Sequence, residues 1–273
     1  MRYEGRRKPA LRFSPAAPFR PAARRGMVGS MGKPAEQPST LEVQWLGRRG
    51  YAEIWELQKR LLEQRIDGAI GDTLLLVEHE PVYTWGKRTD PEHLGEGPTA
   101  LQSLGADVFQ VERGGEVTYH GPGQLTGYPI CNLTGLRCGR DLHKYMRGLE
   151  EMIIRVLASY GLQGERIDGL TGVWVEQAAG GRRQAAGKAK PHAPSPKPAA
   201  KVAALGVRVR KWCTMHGFAL NVTDECLPWF RHITPCGIDD RGVTSLEKLI
   251  GRAPGMSEVR GRVVEAFREV LLR

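Results

Sequence analysis

Two strand-like runs, Gly172–Glu176 and Val202–Arg208, are separated by QAAGGRRQAAGKAKPHAPSPKPAA at 177–200. Small residues, prolines and five cations without an acid give that stretch too little apolar surface to bury a core. Any fold of this chain must therefore close around it, which makes it an insertion between neighbouring strands. Residues 1–40 have the same character: nine basic residues, two acidic ones, and Pro9, Pro15, Pro18 and Pro21 interrupting any helix. The expected organisation is a disordered basic extension over 1–40, then one folded region over 41–273 that carries 177–200 as a low-complexity insertion. No internal repeat is visible.

The same two segments decide what the charge means. The net charge of +10 suggests a nucleic-acid binder, but residues 1–40 contribute +7 and residues 177–200 contribute +5, so the rest of the chain carries −2. No nucleic-acid partner is expected. The longest purely apolar run, Leu74–Val77, is four residues, far from the roughly 20 that span a bilayer. No membrane partner is expected, and the location expected is cytoplasmic. An Arg-rich, acid-poor 1–40 acting as an import signal would make it mitochondrial.

The folded part alternates between helical and strand periods. Ile54, Leu57, Leu61, Leu62 and Ile66 predict a helix over 51–66. Asp141 is a good N-cap for a second helix bearing Leu142, Tyr145, Leu149, Met152, Ile153, Val156 and Tyr160. Strands are expected at 73–78, 106–112, 125–133, 172–176, 202–209 and 217–223. Helices at 244–250 and 257–272, the latter opened by Ser257, complete a mixed α/β chain. Many connections are too short for crossover helices, so antiparallel pairing is expected.

Five cysteines without a CxxC pair exclude a zinc ribbon and a disulfide framework, and suit a reducing compartment. Cys131, Cys213 and Cys226 sit beside bulky apolar residues and read as inert buried thiols. Cys236 differs, because Pro235 and Gly237 interrupt regular structure around it and suit the tip of a turn. A nucleophilic thiol needs a cation or base nearby; Lys201, His120, His216 and His232 are the candidates. The run Arg113–Gln124, RGGEVTYHGPGQ, holds four glycines in twelve residues and suits close backbone approach to a ligand. It is neither a Walker loop nor GxGxxG.

Taken in order, RGGEVTYHGPGQL at 113–125, GVWV at 172–175, KVAALGVRV at 201–209, HGFALNV at 216–222 and ITPCGI at 233–238 resemble the lipoyl/octanoyl transferases (lipoate-protein ligase B). PVYTWGK at 81–87 and VTSLEKL at 243–249 add to the likeness. The resemblance implies an α/β fold like the catalytic domains of biotin and lipoate ligases, with a larger mixed sheet and a smaller sheet flanked by helices. It implies octanoyl transfer from octanoyl-acyl carrier protein to a lysine of lipoyl domains, those of 2-oxoacid dehydrogenase E2 subunits and of the glycine-cleavage H protein. This is the first step of endogenous protein lipoylation, by a monomer without cofactor, metal or ATP. It implies Cys236 as the acyl-thioester nucleophile and Lys201 as the residue that lowers its pKa and moves protons. It implies substrate contacts at Arg113, Gly114, Gly115, Glu116, Val117, Thr118, Tyr119 and His120, at Ala204, Leu205 and Gly206, and at Gly217, Phe218 and Ala219. Small residues such as Gly217 and Ala219 would leave room for the acyl chain.

Two other readings compete. An ATP-dependent lipoate or biotin ligase on the same fold would need a nucleotide loop and no cysteine. A binding module recruiting nucleic acid through its basic segments would owe its affinity to 1–40 and 177–200.

Overall fold

The computed structural model describes residues 41–86, 89, 91–95, 97–176, 199–233 and 242–273. The expectations for 1–40, for 177–198 of the insertion and for Cys236 lie outside the described residues.

A six-stranded mixed sheet runs in the order β1-β2-β6-β9-β8-β7. Its first two strands, β1 (Glu42–Arg49) and β2 (Thr73–His79), are parallel and joined through helix α1 (Tyr51–Ile66). Every other pairing in this sheet is antiparallel, through β6 (Gln124–Ile130), β9 (Cys213–Asn221), β8 (Ala199–Arg210) and β7 (Val173–Glu176). The run Thr73–Val77 is buried on both faces. Leu74 and Leu76 pack into the main core with α3 (Leu142–Ala158) and α5 (Met256–Leu271), while Leu75 and Val77 pack with Ile54 of α1. Helices therefore cover both faces of the sheet, as its apolar run requires.

The smaller sheet has the order β4-β3-β5. β3 (Val82–Gly86) runs parallel to β4 (Asp107–Val111), with the short helix α2 (Pro98–Ser103) between them, and antiparallel to β5 (Thr118–His120). Tyr83, Val117, Tyr119 and Phe230 form its own core.

Asp141 caps α3 as expected, accepting from the Lys144 amide at 2.9 Å. Ser257 does not open α5; the helix starts at Met256 behind Gly255, with no side-chain cap. Ser245 instead caps the short α4 (Leu246–Ile250). β9 begins four residues before the expected 217, because Lys211 and Trp212 both take left-handed φ and make a tight hairpin with β8. β8 begins at Ala199, so the last two residues of the low-complexity stretch are buried strand residues paired with β7. Among the described residues no helix is long and apolar enough to cross a membrane.

Candidate active site

A cavity of about 260 Å³ lies between the large sheet and the loop that carries Arg113. Its floor follows the register of β8 and β9: Ala204 opposite Ala219, then Gly206 opposite Gly217. Lys201 belongs to that floor only because of a bulge. Val173 pairs with Ala203 and Trp174 with Lys201, which leaves Val202 as the extra residue of β8. Val202 and Ala203 both enter the main core, as does Leu205. The extra residue thus reverses the parity of the strand, and Lys201 joins Ala204 and Gly206 on the cavity side.

Lys201 is 7% exposed. Its ammonium stands 4.6 Å from the centre of the Trp174 ring. Its amide donates to the Gly242 carbonyl at 2.9 Å, and its carbonyl accepts from the Thr244 amide at 3.0 Å. Gly172, at φ 130°, covers the stem of the side chain. The Gly172 amide donates at 3.3 Å to Glu150, a carboxylate 2% exposed on α3. Arg147 at 2.8 Å and Arg166 at 3.3 Å balance the Glu150 charge. A buried carboxylate, paired with two arginines that reach solvent, thus holds the loop that packs on Lys201.

The loop 113–117 closes the cavity from the other side. Arg113 folds back on its own turn and onto β3, donating to the Glu116 carbonyl (2.8 Å), the Gly114 carbonyl (3.1 Å), the Thr84 carbonyl (2.7 Å) and the Thr84 hydroxyl (2.9 Å). Gly206 permits this approach, since a Cβ there would lie 2.6 Å from the Gly114 carbonyl oxygen. Of the expected contacts, Arg113, Gly115, Glu116, Val117, Thr118 and His120 line the cavity, and so do the triads at 204–206 and 217–219. Gly114 and Tyr119 do not. The Gly114 amide is bonded to the Val207 carbonyl, and Tyr119 stacks on Trp229 at 5.2 Å in the smaller core, because alternation along β5 turns it away from His120. The small size of Gly217 also has another cause than room for a ligand: a Cβ there would meet the Gly127 carbonyl oxygen of β6 at 2.3 Å.

His120 and His216 line the cavity, and the His79 ring lies 6.0 Å from that of His120. Burial brings His79 down to about 4 and both His120 and His216 down to about 3, with the Arg113 charge adding to the effect on the last two. His79 Nδ1 donates to the Arg49 carbonyl at 3.1 Å, so its Nε2 accepts from the Tyr128 hydroxyl at 2.8 Å. His216 takes a left-handed φ of 57° inside β9, and its amide donates to Gln58 of α1.

The sequence reading missed Tyr51, Thr126, Tyr128, Leu170, Thr171, Asn221 and Phe230, which also line the cavity. Asn221 and Tyr128 stood in strand-like runs, and alternation with Ala219 and Thr126 is the signal that could have placed them. Among the described cysteines none lines the cavity, and burial raises all four thiols, Cys226 up to about 12.

The architecture is that of the lipoate protein ligases. A bi-partite lipoate protein ligase of Thermoplasma acidophilum superposes with TM-score 0.58 at 15% identity, over 84% of this chain and 82% of that one. A lipoate-protein ligase A bound with ATP gives 0.58 at 13% identity, over 86% and 85%. The sequence profile of the lipoyl protein ligase A/B catalytic domain matches residues 50–268. The octanoyltransferase of Chloroflexus aggregans is 50% identical over 229 residues, covering 84% of this chain and 93% of that one. That of Rubrobacter xylanophilus is 47% identical, over 86% and 96%. The chain belongs to the lipoyl protein ligase A/B catalytic-domain family and is an acyltransferase of its octanoyltransferase group.

Proposed function

We propose that the chain transfers an octanoyl group from octanoyl-acyl carrier protein to a lysine of lipoyl domains, through a thioester on Cys236 and without ATP. The observation that carries this reading is the placement of Lys201. A buried lysine ends a floor of small residues, with an apolar wall where an acyl chain gains ~0.8 kcal/mol per buried CH₂. Gly242, six residues after Cys236, is bonded to the Lys201 amide, and Val243 lines the cavity. The raised thiols of the other four cysteines also favour Cys236 as the nucleophile.

The chemistry closes in two halves. The Cys236 thiolate attacks the carrier thioester, the carbon–sulfur bond to the carrier breaks, and Lys201 protonates the departing carrier thiolate. The acceptor amine then attacks the Cys236 thioester, gives its proton to Lys201 as the amide forms, and Cys236 leaves again as thiolate. Each half exchanges bonds without activation by a nucleotide. The remaining contacts of the 113–118 loop and of 204–206 and 217–219 bind the acyl group and its carrier arm.

Intact-mass spectrometry after incubation with octanoyl-acyl carrier protein tests the reading. An octanoyl adduct on Cys236, discharged by a lipoyl domain, is expected. Cys236→Ser should lose adduct and transfer, while Cys131→Ser and Cys138→Ser keep both; wild-type turnover by Cys236→Ser would overturn the assignment.

A further inference from the structure

The hydrogen bonds below the cavity run in one direction, and a backbone atom fixes that direction. The Thr244 carbonyl can only accept, so the side-chain atom of Asn221 that meets it at 2.9 Å is the amide nitrogen. The Asn221 oxygen then accepts from the Gln124 nitrogen at 2.9 Å, which leaves the Gln124 oxygen to accept from His120 Nδ1 at 2.7 Å. His120 therefore carries its proton on Nδ1. Its Nε2 is an unprotonated acceptor with no partner among the described residues, on a ring that lines the cavity. Tyr51 lies parallel to that ring, with centroids 6.3 Å apart, and fixes its plane.

An acceptor at this place discriminates among the reactants. It cannot stabilise an oxyanion, because it has no hydrogen to give. The acyl chain and the thioester group itself bring no N–H or O–H to it. The acceptor lysine brings two N–H groups to the reacting carbon. We infer that His120 Nε2 accepts a hydrogen bond from the amine of the incoming lysine and points the nitrogen lone pair at the acyl carbon. This inference rests on the acyl-enzyme reading above and adds which substrate His120 serves. Burial keeps the ring neutral throughout the working pH range, so it orients the amine while Lys201 takes the proton. The chain that orients His120 ends at Thr244, whose amide is bonded to the Lys201 carbonyl, so the two groups share one scaffold.

The two half-reactions separate the possibilities. His120→Phe keeps a flat ring against Tyr51 and removes the acceptor. Gln124→Glu keeps the ring, gives up the bond to the Asn221 oxygen, and places a carboxylate on Nδ1, which favours the imidazolium and converts Nε2 to a donor. Both variants should form the octanoyl adduct from octanoyl-acyl carrier protein within about twofold of the wild-type rate, and discharge it to a lipoyl domain at least tenfold more slowly. Equal slowing of both halves, or unchanged discharge, would overturn the inference. Nitrogen-15 NMR of histidine-labelled wild-type protein gives a second readout, independent of turnover. It should show His120 as the Nδ1–H tautomer, and an Nε2–H tautomer or an imidazolium at neutral pH would overturn it. A wild-type protein that forms no adduct removes the acyl-enzyme reading itself, and the inference with it.

Discussion

Gly172 lies so close to Lys201 that a methyl group on it would stand 3.2 Å from the lysine Cε and 2.8 Å from the Ala203 carbonyl oxygen. The backbone at φ 130° is open to glycine and strained for any L side chain. Gly172→Ala should therefore cost about 1–3 kcal/mol of stability and push the lysine stem off the Trp174 ring. Thermal melts and steady-state transfer measure both effects. A variant with unchanged Tm and unchanged kcat would show that the lid over Lys201 does not set its position.

Glu150 acts on the same loop from beneath. Glu150→Ala removes the acceptor of the Gly172 amide and the partner of Arg147 and Arg166. Both arginines reach solvent, so the loss falls mainly on the buried amide, at about 1–3 kcal/mol. Glu150→Gln still offers that amide a carbonyl oxygen. It should keep more activity than the alanine variant while both lose Tm, and equal activities would separate Glu150 from the site.

The three buried histidines set an acid limit on the fold. Each has its folded pKa depressed, to about 4 for His79 and about 3 for His120 and His216. Between those values and the unfolded value near 6.5 the unfolded chain binds more protons, so stability rises with pH across that window and is fully present above it. At the steep part the three together change stability by at most ~4 kcal/mol per pH unit. Tm should be flat above about pH 7 and fall below pH 6. His79→Gln, whose amide can donate to the Arg49 carbonyl and accept from Tyr128, should make the fall shallower by one proton. An equal slope would remove His79 from the acid transition.

Periodicity made α1, α3 and most of the large sheet legible, because long amphipathic runs leave one reading. β1 was not, since EVQWLGRR is a half-exposed edge without clean alternation, nor was β5, three residues inside a glycine-rich run. The site shows the limit more sharply. Strict alternation along KVAALG puts Lys201 with Ala203 and Leu205, facing the core. Only the bulge at Val202, a property of pairing with β7, turns it to the cavity. The motif marked Lys201 by resemblance, while local pattern alone pointed it the wrong way. The direction of the chain from Thr244 to His120 was illegible for the same reason, since its members come from β5, β6, β9 and the turn before α4.

The proton chemistry proposed for Lys201 predicts a divergence between its two replacements. Lys201→Ala removes the cation, so the Cys236 thiol should need higher pH to ionise, and acylation at neutral pH should slow. Lys201→Arg restores a cation near the same wall but cannot give up its proton, because guanidinium stays charged at any working pH. It should hold part of the thiolate stabilisation and still turn over poorly. Alkylation of Cys236 by iodoacetamide against pH reads the thiolate directly in wild type and in both variants. Beside it, single-turnover transfer from octanoyl-acyl carrier protein reads the proton steps. The expected pattern is a profile displaced to higher pH in Lys201→Ala, a smaller displacement in Lys201→Arg, and acyl transfer at least tenfold slower in both. An unmoved alkylation profile in Lys201→Ala would take Lys201 out of thiol activation. Full turnover by Lys201→Arg would take it out of proton transfer, leaving a lysine whose buried position serves the strand alone.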